Sequence, residues 1–106
     1  MTLQTTSSTR ADAVVITLVG DLDATGAPAL QADVDTALAA GAKRLVLDLR
    51  ALGYLSSAGL RQLVYAQQKM ADDVQIVLVG ANPRVEQTIR LVGFDQSVTL
   101  TNRLPE

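Results

Sequence analysis

Three short apolar runs, rich in valine, leucine and isoleucine, lie at regular intervals along the sequence: AVVITLVG (13–20), RLVLDL (44–49) and VQIVLVG (74–80). Near-continuous apolar runs of this length are typical of strands that are buried on both faces of a sheet. Between the runs, apolar residues recur at the three- and four-residue spacing of a helix. This alternation predicts an α/β fold whose strands are mostly parallel and are joined by right-handed helical crossovers.

The predicted helices fill the intervals between these strands. They cover residues 25–40, the stretch from Ser57 to about Met70 or Asp72, and residues 82–93. Pro28 suits the first turn of a helix because its missing N–H has no partner to lose there. Gly41 and Gly93 suit the helix ends, where a left-handed residue often follows the last turn. Val85, Ile89 and Val92 form the apolar stripe of the third helix.

Two further segments complete the predicted sheet. LQTTSST (3–9) is threonine-rich and predicts an edge strand, and SVTL (97–100) predicts a short last strand. We therefore expect residues 1–106 to form one α/β domain, with a four- or five-stranded mixed sheet and about three helices. Its central strands are predicted to be Ala13–Val19, Arg44–Leu49 and Val74–Val79.

The composition excludes several classes of function. The chain has no histidine and no cysteine, which removes Ser-His triads, thiolate chemistry and most zinc sites. A net charge of −2 and a pI of about 4.9 argue against a nucleic-acid surface. No apolar run approaches the ~20 residues that cross a bilayer, and the N-terminal residues do not resemble a signal peptide. We expect a cytoplasmic protein without membrane insertion, cofactor or metal.

An adjacent pair of serines lies where the second apolar run passes into a helical pattern, in LGYLSSAGLRQLV (52–64). Ligands in open α/β sheets usually bind at the carboxyl ends of strands, beside helix N-termini. Ser57 at this place is either a helix cap or an anchor for an anionic group. Catalysis by Ser57 is not expected, because no glycine precedes it and no histidine base exists.

Other polar residues near strand ends leave alternatives open. Either Asp23 or Thr25 is expected to cap the first helix. Asp48 either meets solvent or accepts hydrogen bonds from local backbone. Arg61 lies four residues after Ser57 on the same helix face, where it is either solvated or in contact with a phosphate.

Two segments resemble markers of the STAS domain family, in particular its stand-alone anti-sigma factor antagonists. VLDLRALGYLSSAGLRQLV (46–64) is similar to the family's signature, a strand, a short loop and then Asp-Ser-x-Gly-Leu opening a helix. LVGDLDATGAPAL (18–30) resembles a Gly-x-Leu-Asp marker before the first helix. The resemblance extends from about Ala13 to Leu100. It departs from the family pattern at Ser56, which stands where aspartate is usual.

The resemblance implies a phosphorylation-controlled protein–protein switch and not an enzyme. Ser57 would be the residue phosphorylated by an anti-sigma factor, a serine kinase of the ATP-binding class, and Ser56 would be a rival acceptor. A serine phosphatase would restore binding, and ATP and Mg²⁺ would belong to the kinase. The chain would be a monomer or a weak dimer. The implied partner-binding residues are Asp23, Ser56, Ser57, Ala58, Gly59 and Arg61.

Two alternative functions remain open at this point. One is a STAS scaffold subunit that binds the ATPase of an ABC-type transporter, with its serine never phosphorylated. The other is a domain that binds a small anionic ligand or nucleotide at the helix N-terminus. A STAS tail of an anion transporter is not expected, because the chain begins with methionine and contains no membrane segment.

Overall fold

The computed structural model describes residues 2–69, 74–91 and 93–103. Its elements, in chain order, are β1 (Gln4–Arg10), β2 (Ala13–Leu22), α1 (Ala27–Ala39), β3 (Arg44–Leu55), α2 (Ser57–Lys69), β4 (Gln75–Val79), α3 (Pro83–Leu91), a 3₁₀ turn (Phe94–Gln96) and β5 (Thr99–Thr101). Within these residues, no helix has the length and apolar content needed to cross a membrane.

The five strands form one mixed sheet in the order β1-β2-β3-β4-β5. β1 is antiparallel to β2, and every later pair is parallel. The prediction of a four- or five-stranded mixed sheet, with the three apolar runs at its centre, is confirmed. From β2 to β5, each helix leads to the next strand on the same side of the previous one. Right-handed connections therefore place α1, α2 and α3 on one face of the sheet.

The main core lies between the helices and that face of the sheet. It joins alternate strand residues to the apolar stripes of the helices, and its fully or nearly fully buried members include Ile16, Leu18, Leu30, Val34, Leu47, Leu63, Leu78 and Ile89. The chain has only two tyrosines and one phenylalanine. The core is therefore almost entirely aliphatic, with Phe94 as its aromatic member.

A second, smaller cluster of valines lies on the opposite face of the sheet. Asp48 is on β3 beside this cluster and is only 5% exposed. Its carboxylate accepts hydrogen bonds from the backbone N–H of Arg50 (3.1 Å), from Arg50 Nε (2.9 Å) and from Arg50 Nη2 (2.7 Å). The expected bond to local backbone is confirmed, whereas the alternative of a solvent-facing Asp48 is wrong. Burial requires the carboxylate to be paired, and Arg50 supplies the pairing.

Two strands run further than the sequence predicted. β2 continues past Gly20 to Leu22, and β3 continues past Leu49 to Leu55 instead of passing into a loop. The pairing of these extensions shifts register between Thr17 and Val19 and again between Gly20 and Asp21. Such bulges bend the strands without ending them, and Gly20 tolerates its φ of 106° because it has no Cβ.

The first helix begins two residues later than predicted, and its cap is not the expected one. Gly26 is the N-cap and makes no side-chain cap bond. The Asp23 carboxylate instead accepts from the N–H groups of Thr25 (3.0 Å) and Gly26 (3.2 Å), upstream of the helix. With Pro28 in the first turn, one of the N–H groups that a cap would serve is missing. The prediction that Asp23 or Thr25 caps the helix is wrong.

The ends of the other helices agree with the sequence where they are described. α2 begins at Ser57 as predicted, while the predicted end at Met70 or Asp72 lies outside the described residues, as does Val92. Gly41 and Gly93 have φ of 82° and 78°, as expected for residues that end helices. The last strand is Thr99–Thr101 rather than 97–100, because the 3₁₀ turn extends to a bond from the Ser97 N–H to the Phe94 carbonyl (3.0 Å).

Candidate functional site

The serine pair leaves the sheet where β2 and β3 end together. Leu22 and Leu55 are the last paired residues of these strands. The N–H of Ser56 donates to the carbonyl of Leu22 at 2.9 Å, so the chain is still bound to β2 as it turns into α2. This places the start of α2 beside the Asp23 turn, at the carboxyl edge of the parallel strands.

Ser56 is the N-cap of α2. Its Oγ accepts from the Gly59 N–H (3.0 Å), and its carbonyl accepts the first helical bond, from the Leu60 N–H (2.8 Å). Both bonds have the geometry of a serine cap. The residue is half-buried. Of the two serines, therefore, Ser56 and not Ser57 carries the capping role that the sequence left open.

Ser57 is the first residue of α2 and is exposed. Its hydroxyl has no hydrogen-bond partner among the residues that the structure describes. N–H groups in the first turn of a helix have no intrahelical partner, and the positive end of the helix dipole lies there. An anionic group on the Ser57 oxygen would lie in a favourable field.

Gly59 lets α2 start so close to the sheet. A methyl group at this position would lie 2.7 Å from both the Cγ and the carbonyl oxygen of Leu22. Such distances are far inside van der Waals contact, so only glycine fits without movement of the helix. Gly59 is therefore a close-packing residue between α2 and the end of β2.

A shallow groove of about 460 Å³ separates the first turns of α1 from α2. Small apolar side chains, among them Ala27, Pro28 and Ala58, line it together with Gln31, Arg61 and Tyr65. Ala58 adjoins Ser57 in the chain, so the groove begins beside the exposed serine. Tyr65 is 43% exposed, in a chain with very few aromatic residues.

Asp23 lies in the turn that joins β2 to α1, directly after Leu22. Beside its two backbone contacts, its carboxylate accepts from the Thr25 hydroxyl at 2.6 Å. These hydrogen bonds, the one from the Thr25 hydroxyl above all, hold the pKa of Asp23 below its ordinary value. Asp23 is thus ionised and half-buried, with Oδ1 taking all three of these bonds.

The arrangement offers no metal site in the described ranges. Nowhere in residues 2–69, 74–91 and 93–103 do three acidic, histidine or cysteine side chains come together. The strand ends and α2 provide an exposed hydroxyl with a groove beside it.

The family model described as STAS domain matches residues 3–106 of the chain. The chain belongs to the STAS family. It is 34% identical, over 82 residues, to BtrV of Bordetella bronchiseptica, which is assigned by inference as an anti-sigma factor antagonist; the match covers 76% of this chain and 71% of BtrV. It is 29% identical to the anti-sigma-F factor antagonist RsfB of Mycobacterium tuberculosis, over 85% of this chain and 74% of RsfB.

A solved structure has the same fold. The crystal structure of an anti-sigma factor antagonist from Mycobacterium paratuberculosis superposes with a TM-score of 0.89 at 27% identity, covering 97% of this chain and 88% of that one. The α/β class and strand arrangement predicted from the sequence are those of the family.

The STAS fold brings most of the predicted partner-binding residues together. Ser56, Ser57, Ala58, Gly59 and Arg61 lie in the first two turns of α2, and Asp23 directly follows Leu22, to which Ser56 is bonded. Gly59 is buried against Leu22, so it shapes this surface from behind.

Two features of the site were not predicted from the sequence. Tyr65 lines the groove, and its spacing of four residues from Arg61, together with the rarity of aromatics, was a usable signal. Asn82 was missed as well: its Oδ1 accepts from the Val85 N–H (2.8 Å) and its Nδ2 donates to the Leu52 carbonyl (3.1 Å). An asparagine before Pro83 signals a cap, but nothing local reveals its bond to β3.

Proposed function

We propose that this STAS chain is an anti-sigma factor antagonist that works by partner switching. Its unphosphorylated form binds an anti-sigma factor, a serine kinase of the ATP-binding class, through the surface formed by Asp23, Ser56, Ser57, Ala58 and Arg61. Phosphorylation of Ser57 releases the kinase, and a serine phosphatase restores binding. The names of BtrV, RsfB and the mycobacterial structure support the antagonist role.

The single observation that carries the choice of acceptor is the difference between the two serines. The Ser56 hydroxyl is half-buried and engaged with the Gly59 N–H, whereas Ser57 is exposed and its hydroxyl has no partner among the described residues. A kinase has direct access to Ser57, but phosphorylating Ser56 would break the cap of α2. Matching Gly59 and Leu60 to the Gly-Leu of the family signature assigns the acceptor to Ser57. That assignment agrees with this difference between the serines.

The electrostatics suit a switch that changes binding without changing the fold. A phosphate adds about −1.5 to −2 charges at pH 7. At the N-terminus of α2 the chain itself tolerates this charge, because the dipole and free N–H groups favour an anion. In a complex, the same charge would be desolvated against the kinase, which weakens binding.

The proposed role requires no chemistry from this chain. The kinase contributes ATP and Mg²⁺, and this chain contributes a substrate hydroxyl and a binding surface. The switch would operate in the cytoplasm, where sigma factors engage RNA polymerase, with the chain as a monomer or weak dimer.

The test starts with capture of partners on immobilised Ser57→Ala and Ser57→Asp chains, followed by mass spectrometry. We expect a serine kinase of the ATP-binding class on the Ser57→Ala chain only. That kinase, with ATP, should then phosphorylate the wild type and Ser56→Ala at Ser57. Phosphate on Ser56 with Ser57 unmodified would overturn the assignment of the acceptor.

Capture of an ABC-type transporter ATPase, with no phosphate on either serine, would replace the proposed function by the scaffold role. Purification of the chain with a bound nucleotide or phosphate would favour the ligand-binding role instead. Each of these outcomes contradicts the antagonist assignment.

A further inference from the structure

Arg61 occupies a position that links the exposed serine to the groove. It lies one helical turn after Ser57, at the i,i+4 spacing that brings two side chains together on a helix surface. It is exposed and makes no hydrogen bond or ion pair in the part of the chain that the structure describes. Its guanidinium can therefore turn either toward Ser57 or across the groove.

The groove itself has a defined chemical character. Among the described residues that line it, Arg61 is the charged one, and the others are small apolar residues, Gln31 and Tyr65. Tyrosine and arginine, like tryptophan, are enriched among the residues that dominate the binding energy of protein–protein interfaces, and small residues leave room for a partner's side chain. The groove thus suits an apolar side chain of a partner that has a carboxylate next to it. Arg61 would form an ion pair with that carboxylate.

We propose that Arg61 couples the groove to the phosphorylation state of Ser57, a role that rests on the proposed function. In the unphosphorylated chain, Arg61 pairs with a carboxylate of the anti-sigma kinase whose neighbouring apolar side chain enters the groove. In the phosphorylated chain, Arg61 pairs with the phosphate of Ser57 instead. Phosphorylation then removes the cation that the kinase needs, in addition to placing a repulsive charge in the interface.

The physical reason for the exchange is a competition between two anions for one guanidinium. A phosphate carries up to twice the charge of a carboxylate, and its three oxygens match the fork of arginine. The phosphate is also held on the same helix, so no association entropy opposes the contact. The intramolecular pair is favoured wherever both anions are present.

The first test uses the chain alone and needs no kinase. Phosphoserine is incorporated at position 57, and the second pKa of the phosphate, ordinarily about 6, is followed by phosphorus NMR. Arg61→Gln should raise this pKa by about 0.2–0.4 pH unit, because the cation stabilises the dianion. Arg10→Gln, which removes an exposed cation at the opposite edge of the sheet, should leave it unchanged. Equal values in wild type and Arg61→Gln would overturn the proposal.

The second test measures affinity for the kinase captured with Ser57→Ala. Arg61→Gln should weaken the unphosphorylated complex about tenfold, Arg61→Lys less, and Arg10→Gln by less than about twofold. The affinity ratio between unphosphorylated and phosphorylated chains should be smaller in Arg61→Gln than in wild type. An unchanged ratio would overturn the coupling.

The two tests separate failure of this inference from failure of the proposed function. If the kinase binds wild type and Arg61→Gln equally, the docking role of Arg61 is wrong while the antagonist function stands. If no kinase binds, the antagonist function and the docking role both fall, and the phosphate titration alone decides whether Arg61 pairs with a phosphate on Ser57.

Discussion

Gly59 packs against Leu22 at a distance that leaves no room for a side chain. A methyl group on Gly59 would lie 2.7 Å from the Leu22 carbonyl oxygen, the same atom that accepts the N–H of Ser56. The first turn of α2 therefore rests directly on the end of β2. This contact sets the direction in which Ser57, two residues earlier, faces solvent.

Gly59→Ala should destabilise the fold or displace the first turn of α2. Overpacking of this kind costs about 1–3 kcal/mol in the free energy of unfolding, measured by urea denaturation. Gly53→Ala is the control, since a methyl group there meets nothing closer than 3.4 Å. Equal stability of the two variants would contradict the packing.

Ser56→Ala should cost about 1 kcal/mol of stability, because it removes the cap bond to the Gly59 N–H. Ser57→Ala should be nearly neutral, since the Ser57 hydroxyl bonds nothing in the described chain. Thermal or urea unfolding of both variants checks the difference. A larger loss in Ser57→Ala would show that the cap is misassigned.

Ser57→Asp should leave stability near that of the wild type, because a carboxylate at a helix N-terminus is favourable by about 0.3–1 kcal/mol. It should nevertheless weaken kinase binding at least about tenfold, which isothermal titration calorimetry can measure. Ser8→Asp, with the same charge on the exposed strand β1, controls for net charge. Comparable loss of affinity in both variants would contradict a local effect at Ser57.

Asp48→Asn should change the pH dependence of stability. The hydrogen bond from the Arg50 side chain holds the pKa of Asp48 below its ordinary value of 3.8. Ionised Asp48 therefore stabilises the fold above about pH 4, and this contribution is lost as the pH falls through the lowered pKa.

The loss in Asp48→Asn at pH 7 should be on the order of 1 kcal/mol, a modest figure because solvent screens the pair; the Arg50 side chain is 56% exposed. Urea unfolding at pH 7 and pH 3 measures this loss. The difference in the free energy of unfolding between wild type and Asp48→Asn should be smaller at pH 3 than at pH 7. A gap of the same size at both pH values would contradict the ion pair.

Asn82→Ala should lose about 1–2 kcal/mol, because it removes both the cap of α3 and the bond to the Leu52 carbonyl. Asn82→Ser keeps a capping oxygen but cannot span to β3, so it should recover only part of the loss. Amide exchange across residues 51–55 should rise in both variants. Unchanged exchange in Asn82→Ser would show that the bond to Leu52 does not hold this segment.

The sequence predicted element types and order well because both depend on local periodicity. The β-branched runs and the stripe of Val85 and Ile89 each specify an element from a few neighbouring residues. Boundaries were less predictable where pairing partners decide them. Glycine ends a helix at Gly41, but Gly20 continues a strand through a bulge, since β3 still pairs beyond it. The phosphoacceptor role of Ser57 remains a prediction.

By itself, the sequence determined a mixed α/β sheet, an aliphatic core and a serine pair at a helix start, because spacing and residue type carry that information. Only the tertiary structure decided which serine caps α2 and which is exposed. That choice depends on the Ser56 N–H reaching the Leu22 carbonyl and on Gly59 fitting beneath it, both contacts between residues more than thirty positions apart. The groove beside Arg61 and the bond from Asn82 to Leu52 are likewise products of packing between distant elements, which no local pattern records.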